Sequence, residues 1–477
     1  MPDRHLHLLL PALFLLVAGQ LGVFLALAVP LGQVPDETTH ITRAESLLRG
    51  EILGHRELTP TADNHLHLQQ GIDADPGLQM VGGQMAGGAA TLTQADWDRA
   101  KAQPWFGPAF LSIGTIASYW PVFYAPAAVG IGLAKAAGES PFNAFRVARM
   151  ANLATFLLLG TAALLLARRG QALLFCTLSV PMTLNLAASA NQDGLIIAAS
   201  ALAAALLTLP GRAGHRHDLP RLAAAALLGS IAMAKPPYLP LVGVLLLPFP
   251  PWRQRRVWLQ RLGLGLLAAA ATLAWVAVTL RGVSTPGIRM PAEAGPLWPG
   301  PRPAVFSGMD MGAQLRVLLA KPTRLLTLPW RSQLHDRQVW REAVGVLGHL
   351  NVRLPPWLYW LWALSLAAAA LADAVGRRAG AAVLPWRQAA WPLLCVAAAW
   401  LGIYLSQYLT WSPVGNALID GAQGRYLLPL LPVLALALPS LPAVPALRVA
   451  AATFPAAACL AGAAAVPVVI IRFYYLH

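Results

Sequence analysis

The chain of 477 residues is 57% hydrophobic and only 12% charged, with 35 Lys plus Arg against 20 Asp plus Glu, a formal balance of +15. Apolar runs of about 15 to 25 residues, long enough to span a bilayer, recur from end to end and exclude a soluble globular protein. The positive excess sits in short loops between these runs, as a positive-inside pattern requires, so no nucleic-acid partner is implied.

In chain order, Arg4, His5 and His7 precede a first apolar run over 7 to 29 that ends in Ala26-Leu27-Ala28. A cleaved signal peptide also ends in small residues, but this run of about 22 residues exceeds a usual signal core and more spans follow, so a retained first helix is expected. The remaining spans are predicted over 145 to 167, 171 to 190, 193 to 209, 221 to 234, 237 to 250, 258 to 281, 357 to 375, 390 to 409, 426 to 440 and 449 to 471. Loops carrying Arg168-Arg169, then Arg212, Arg216 and Arg221, then Arg253, Arg255, Arg256 and Arg261, then Arg377, Arg378 and Arg387, then Arg448, should face the cytoplasm. Loops 30 to 144, 282 to 356 and 410 to 425 hold most of the acids and should face outward, level with the tight turns near Asp193 and Lys235.

"SYWPVFYAPAAVGIGLAKAAG", 118 to 138, is apolar enough to be another span, yet counting it would put every later arginine cluster outside. It is therefore expected as a helix in the outer interface, with Tyr119, Trp120 and Tyr124 at headgroup level and Pro121 and Pro126 breaking any long helix. The expected fold is an all-α polytopic membrane protein, a single integral membrane domain over 1 to 477 with about eleven transmembrane helices. The N-terminus lies inside and the C-terminus outside.

The first outer loop is about 110 residues long, and loops of that size are functional or disordered. It opens with "GQVPDETTHITRAESLLRG", 32 to 50. Pro35-Asp36 reads as a helix start, Ile41, Ala44, Leu47 and Leu48 form one apolar face and Gly50 offers a stop, so a short surface helix is predicted over 37 to 49. Residues 71 to 95, rich in Gly and small residues, read as a flexible loop, after which Trp97 and Trp105 return the chain to the interface. The three cysteines, Cys176, Cys395 and Cys459, lie in apolar segments with neither a CxxC pattern nor a nearby His, so packing is their expected role.

Asp36 has two possible roles. As an N-cap it would accept backbone N–H bonds, worth about 0.5 to 2 kcal/mol; as a general base it would stand at the outer surface with Glu37 binding substrate or a cation. The second role needs partners, and they occur at the same depth. "SANQDGLI" places Asp193 at the outer end of a hairpin, where it is also a natural turn residue. "AMAKPPYLP" holds Lys235, one of only four lysines, in an apolar stretch. A charge at mid-bilayer costs roughly 2.5 to 3.5 kcal/mol, so such a residue either serves a substrate or counter-ion or snorkels to the interface. "YLTWSPVGNALIDGAQGRYLLPLLP" brings Asp420, Gln423, Arg425 and Tyr426 to the mouth of another span, and the arginine fork matches phosphate.

Carboxylates and two fixed cations on one side of the membrane fit transfer chemistry on a lipid-linked phosphate. No Walker loop and no GxGxxG after a strand is present, which disfavours an ATP-driven pump and a soluble nucleotide-sugar enzyme. No cofactor is signalled; a divalent metal is possible, with His40 one helical turn past Asp36, though a lone His there is more often a surface residue. A transporter or flippase of lipid-linked saccharides would need polar residues through both leaflets, whereas the ionisable groups cluster outside. A non-catalytic subunit of a polysaccharide assembly system is the third alternative.

The series "VPDETTH", "YWPVFYAP", "FRVARMANL", "VPMTLNLAASANQDG", "AKPPYLP", "GVLGHLNVRLPPWLY" and the 25-residue stretch ending in "GRYLLPLLP" resembles, in this order, the bacterial membrane-protein family designated domain of unknown function 2142. That family looks like the GT-C glycosyltransferases, among them the aminoarabinose-lipid and protein mannosyltransferases, through Pro35-Asp36-Glu37, the aromatic-proline helix, Arg146 leading into the next span and the Asp at 193. The resemblance implies a GT-C-like fold in a bacterial inner membrane, a large first outer loop of juxtamembrane helices, and inverting transfer at the outer face. The donor would be a sugar on polyprenyl phosphate and the acceptor a glycan or lipid. On matching positions, Asp36 takes the acceptor proton and Glu37 and Asp193 support the site or a cation. Lys235 and Arg425 would hold the departing phosphate, by physical inference. Thr38-Thr39 depart from the proline or small residue that relatives often carry, and acceptor recognition falls to loops 30 to 144 and 282 to 356.

Overall fold

Among the described residues, six helical stretches are long and apolar enough to cross a membrane: His7–Ala28, Pro141–Leu166, Arg255–Gly282, Pro356–Val375, Gln388–Thr410 and Pro445–Tyr474. The fold is that of a computed structural model, which describes residues 2–60, 65–86, 92–209, 218–285, 292–306, 309–375, 386–439, 441–442 and 444–476. The first stretch joins α1 (Pro2–Leu13), a π-helical turn (Phe14–Ala18) and α2 (Gly19–Ala28). After it come α3 (Glu37–Ser46), a 3-10 turn (Leu47–Arg49), β1 (His55–Pro60), β2 (Leu66–Ala74), α4 (Pro76–Ala86), α5 (Gln94–Lys101), β3 (Ala109–Ser112) and α6 (Ala125–Ala136).

The other long helices are α7 (Pro141–Leu166), α12 (Arg255–Gly282), α16 (Pro356–Val375), α17 (Trp386–Thr410) and α19 (Pro445–Tyr474). Six of the eleven expected crossings are thus full-length helices. The other five are shorter or broken, and prolines account for most of the breaks. Residues 171 to 190 divide into α8 (Gln171–Ser179) and α9 (Pro181–Ala187) at Pro181, whose ring cannot continue the preceding helix. Residues 237 to 250 form a 3-10 helix (Pro236–Leu246), and 426 to 440 another (Gly424–Leu430) running into α18 (Leu431–Leu434), with prolines in each. At 1.5 Å per residue, α10 (Asp193–Leu207) and α11 (Leu219–Ala234) reach about 23 Å, less than a hydrocarbon core of about 30 Å.

The fold is mostly helical but not all-α. β1, β2 and β3 form an antiparallel sheet in register His55↔Gly71 and Gly71↔Ser112. It occupies part of the segment expected as a flexible loop, and α4 fills the rest; residues 87 to 91 lie outside the described residues. The start of β2, "LHLQ", alternates between exposed and half-buried residues, whereas "HRELTP" of β1 shows no such period, and the glycines further on obscure the strand signal. Two-residue ladders β4 (Ala292–Glu293) with β5 (Val305–Phe306), and β6 (Val346–Leu347) with β7 (Val352–Arg353), lie in the second large loop, beside α13 (Met311–Ala320), α14 (Arg324–His335) and α15 (Gln338–Gly345).

One apolar core runs through the helices from Leu10 to Tyr474; a second lies under the first loop and includes Ile41, Ala44, Ile72, Leu78, Tyr124 and Phe145. Trp97 and Trp105, both half-buried, pack against this second core: Trp97 meets Phe142 edge-on at 6.2 Å, and Trp105 donates to the Glu139 carbonyl at 2.9 Å. The arginine-bearing helix ends gather at the end of α7 away from Pro141. Arg169 donates to the carbonyls of Leu436 and Leu438, while Arg221 and Arg261 both bind carbonyls where Pro236–Leu246 ends. Arg212, Arg216, Arg377 and Arg378 lie outside the described residues.

Candidate functional site

The chain leaves the first membrane helix in a turn that α7 holds from beneath. Arg149, fully buried, spends all five N–H donors there: Nε and Nη2 on the Glu37 carboxylate at 2.7 and 2.6 Å, and its remaining donors on the carbonyls of Ala26, Val29 and Pro30. Glu37, also fully buried, further accepts from the backbone N–H groups of Gly32 at 3.0 Å and Ala190 at 2.9 Å. Its lone pairs are thereby filled, so Glu37 positions the site rather than touching a substrate or cation. One turn along α7, Asn152 donates to the carbonyls of Ser189 and Asn191, and Asn191 donates to the Pro35 carbonyl at 3.0 Å and receives the Asp193 N–H at 2.8 Å. The turn bearing Asp36 and the turn bearing Asp193 are thus stapled together.

Asp36 stands at the N-cap position of α3 but does not cap it. Its φ of 62° is left-handed, a conformation that Asp and Asn tolerate best among residues with a Cβ, and its side chain makes no bond to the helix N–H groups. The carboxylate instead turns to Arg425, with Oδ2 to Nη2 at 2.5 Å. Arg425 also donates to the Pro35 carbonyl at 3.1 Å and the Tyr426 hydroxyl at 3.3 Å, and its Nη1 lies 3.9 Å from Asp193 Oδ2. The other Asp193 oxygen pairs with Lys235 Nζ at 2.5 Å. Lys235 ends α11 where Pro236 and Pro237 forbid its continuation, which fixes the ammonium at that turn.

The Tyr426 ring lies beneath both cations, with centroid distances of 4.7 Å to Lys235 and 5.1 Å to Arg425, and its carbonyl accepts from the Tyr238 hydroxyl at 2.8 Å. Asp36, Asp193, Lys235 and Arg425 therefore form one cluster, drawn from four separate parts of the chain, whose formal charges cancel. It opens on one side: the Asp36 side chain is 52% exposed, against 2% for Arg425 and 5% for Asp193.

The other expected residues fall around or outside this cluster. The Gln423 carbonyl accepts the Tyr426 N–H at 3.1 Å, and its Oε1 is buried without a bond. Gly424 sits so close to the α15 backbone at Val339 and Ala343 that no Cβ fits, and its N–H donates to Glu342 at 2.9 Å. Arg146, expected among the substrate- or phosphate-binding residues, is not part of the cluster: its guanidinium lies 4.8 Å from the Phe142 ring, and the arginine beneath the site is Arg149, which binds Glu37 instead of facing a ligand. Asp420 is exposed in its loop and accepts from Asn416 at 3.0 Å. Of the aromatics expected at headgroup level, Tyr119 and Trp120 are half-buried. Tyr124 is fully buried and bonded to His40, and Trp120 packs edge-on against Trp275 at 4.8 Å. Arg149, Asn152 and Glu342 are the residues sequence reasoning missed. An arginine inside the apolar run of "FRVARMANLATF" was the available signal for the first.

His40 is buried, with Nδ1 2.7 Å from the Tyr124 hydroxyl and its ring stacked on Tyr124 at 5.6 Å between centroids. Among the described residues no group of three or more His, Cys, Asp or Glu side chains is gathered to hold a metal ion. Asp36 and Asp193 are each paired with a cation and, among the described residues, no third donor is gathered with them, so the donor set does not fit a divalent metal.

Burial pushes the Asp36 carboxyl up, but Arg425, His40 and Lys235 together hold it below its ordinary value. Burial dominates at His40 and lowers it to about 4, with Asp36 and Asp193 only partly offsetting that effect. The imidazole is neutral at pH 7. Between the ordinary value of 6.5 and about 4, the unfolded chain binds a proton that the folded chain does not, so stability falls as pH is lowered through that window. The Asp36 contribution is lost only at lower pH, through its depressed value. His40→Gln should therefore flatten the decline of the thermal midpoint across that window. An unchanged decline in detergent-solubilised protein would contradict this assignment.

A family described as a predicted membrane protein, domain of unknown function 2142, matches residues 20–434, a span that contains every residue of the cluster. No curated protein and no solved structure matches the chain. The match covers most of the sequence, and the chain belongs to that family of predicted membrane proteins.

Proposed function

We propose that the protein is a GT-C-type glycosyltransferase that moves a sugar from a polyprenyl-phosphate donor to an envelope glycan or lipid acceptor, in a bacterial inner membrane with the cluster facing outward. The convergence of Asp36, Asp193, Lys235 and Arg425 carries this proposal. About eleven crossings, with short and broken segments counted, would put the cluster and the two large loops on the outer side and the arginine-bearing ends inside.

The chemistry asks for charge neutralisation and activation of a hydroxyl. The acceptor oxygen attacks the anomeric carbon from the face opposite the phosphate and a new C–O bond forms. The bond from that carbon to the phosphate oxygen breaks, the polyprenyl phosphate leaves with the electron pair, and the acceptor proton passes to Asp36. Lys235 and Arg425 stabilise the charge that develops on the departing phosphate, and the Arg149–Glu37 pair keeps both turns in place. Purified protein reconstituted in lipid and incubated with a panel of polyprenyl-phosphate sugars and envelope glycan acceptors should release the lipid phosphate. Absence of release with every donor would count against the proposal.

A further inference from the structure

The cluster is neutral as it stands, whereas the donor's phosphate, a diester, brings a charge of about −1 and the departing lipid phosphate, a monoester, about −2 at neutral pH. On Arg425, Nη2, the nitrogen that reaches half-exposed Asp36, already serves Asp36 and Tyr426, while Nη1 serves the Pro35 carbonyl and Nε is buried without a partner, so an anion arriving from the open side meets a donor that Asp36 holds. Lys235 is already paired with Asp193, which is buried. Of the two carboxylates only Asp36 is half exposed and belongs to a turn at the open side, so it alone can swing away without uncovering a buried charge. We infer that the Asp36 carboxylate occupies a phosphate subsite on Arg425, and that the phosphate of the lipid donor takes its place there and stays until the lipid phosphate departs.

This rests on the glycosyltransferase proposal and adds an order of events to it. The groups that face Asp36 are His40 from its own helix, Arg425 and Tyr426 from the 3-10 helix, Lys235 and Asp193 from the ends of α11 and α10, and Tyr119 and Tyr124 from the segment leading into α6. Before donor binds, Arg425 suppresses the basicity of Asp36. Once phosphate holds Arg425, Asp36 has lost its cation and gained an anionic neighbour, both of which favour taking up a proton. The base becomes competent only when the leaving group is seated, so no acceptor hydroxyl is activated at an empty site.

Titration calorimetry with farnesyl phosphate, on nanodisc-embedded protein near pH 6 in buffers of different ionisation enthalpy, tests the exchange. Asp36→Asn removes the competing anion and keeps a side chain that tolerates the left-handed backbone. It should bind farnesyl phosphate about tenfold to a hundredfold more tightly than the unsubstituted protein, the equivalent of one charge-assisted hydrogen bond no longer displaced. It should also take up fewer protons on binding, while Arg425→Gln should lose binding. Equal or weaker binding by Asp36→Asn, with the same proton uptake, would overturn the exchange and leave the phosphate site standing. No binding by either form would overturn both.

Discussion

Asp36→Asn is expected to reduce turnover by about 10²- to 10⁴-fold, the usual worth of a positioned general base. The protein should remain folded, because asparagine adopts the left-handed conformation at φ 62° as readily as aspartate and its amide oxygen can still accept from Arg425. The loss should fall on kcat, and the KM for the lipid-phosphate donor should drop, since the anion that competes for Arg425 is gone. That combination separates a base from a structural carboxylate. A purely structural Asp36 would raise KM or lower the yield of folded protein, and steady-state kinetics with the donor varied at saturating acceptor distinguishes the two patterns.

Breaking the Arg149–Glu37 pair should have the largest effect on stability. Arg149→Met leaves a fully buried carboxylate facing only two backbone N–H groups and takes a donor from the carbonyls of Ala26 and Val29, while the Pro30 carbonyl keeps the Gln33 N–H. Removal of one partner from a buried pair costs about 3 to 5 kcal/mol. The double change Arg149→Met with Glu37→Leu should recover part of that loss, because no charge is then left unpaired, although the Gly32 and Ala190 N–H groups stay unsatisfied. Thermal unfolding of the purified variants in detergent decides the matter. A single Arg149→Met variant as stable as the parent would show that the turn is held by something else. Activity should fall in the double variant even where stability returns, as the turns bearing Asp36 and Asp193 lose a shared anchor.

Much of the site was legible because membrane topology constrains it. Alternating hairpins and the arginine distribution put Asp36, Asp193, Lys235 and Arg425 at one level, and the ion pairs at 2.5 Å join them. The helix over 37 to 49 was readable from Pro35-Asp36 and Gly50, and α3 with its 3-10 extension fills that range. The direction of the Asp36 side chain was not readable, since capping depends on a backbone angle that composition does not set. Arg146 and Arg149 lie about one turn and 60° apart on α7, so they share a broad face, yet Arg146 meets Phe142 and Arg149 the Glu37 turn. The three-stranded sheet was hidden by small residues around Gly71 that read as a loop and by the absence of a period of two in β1. Prolines at 181, 236, 237, 240, 429 and 432 shorten or break spans that hydropathy alone draws at full length.

A cryo-EM structure of the protein with a polyprenyl phosphate bound would test the central claim most directly. The phosphate should lie within about 4 Å, ion-pair distance, of both Lys235 and Arg425, with the Asp36 carboxylate displaced from the guanidinium and facing the open side. A phosphate seated elsewhere, with the Asp36–Arg425 pair intact, would contradict it.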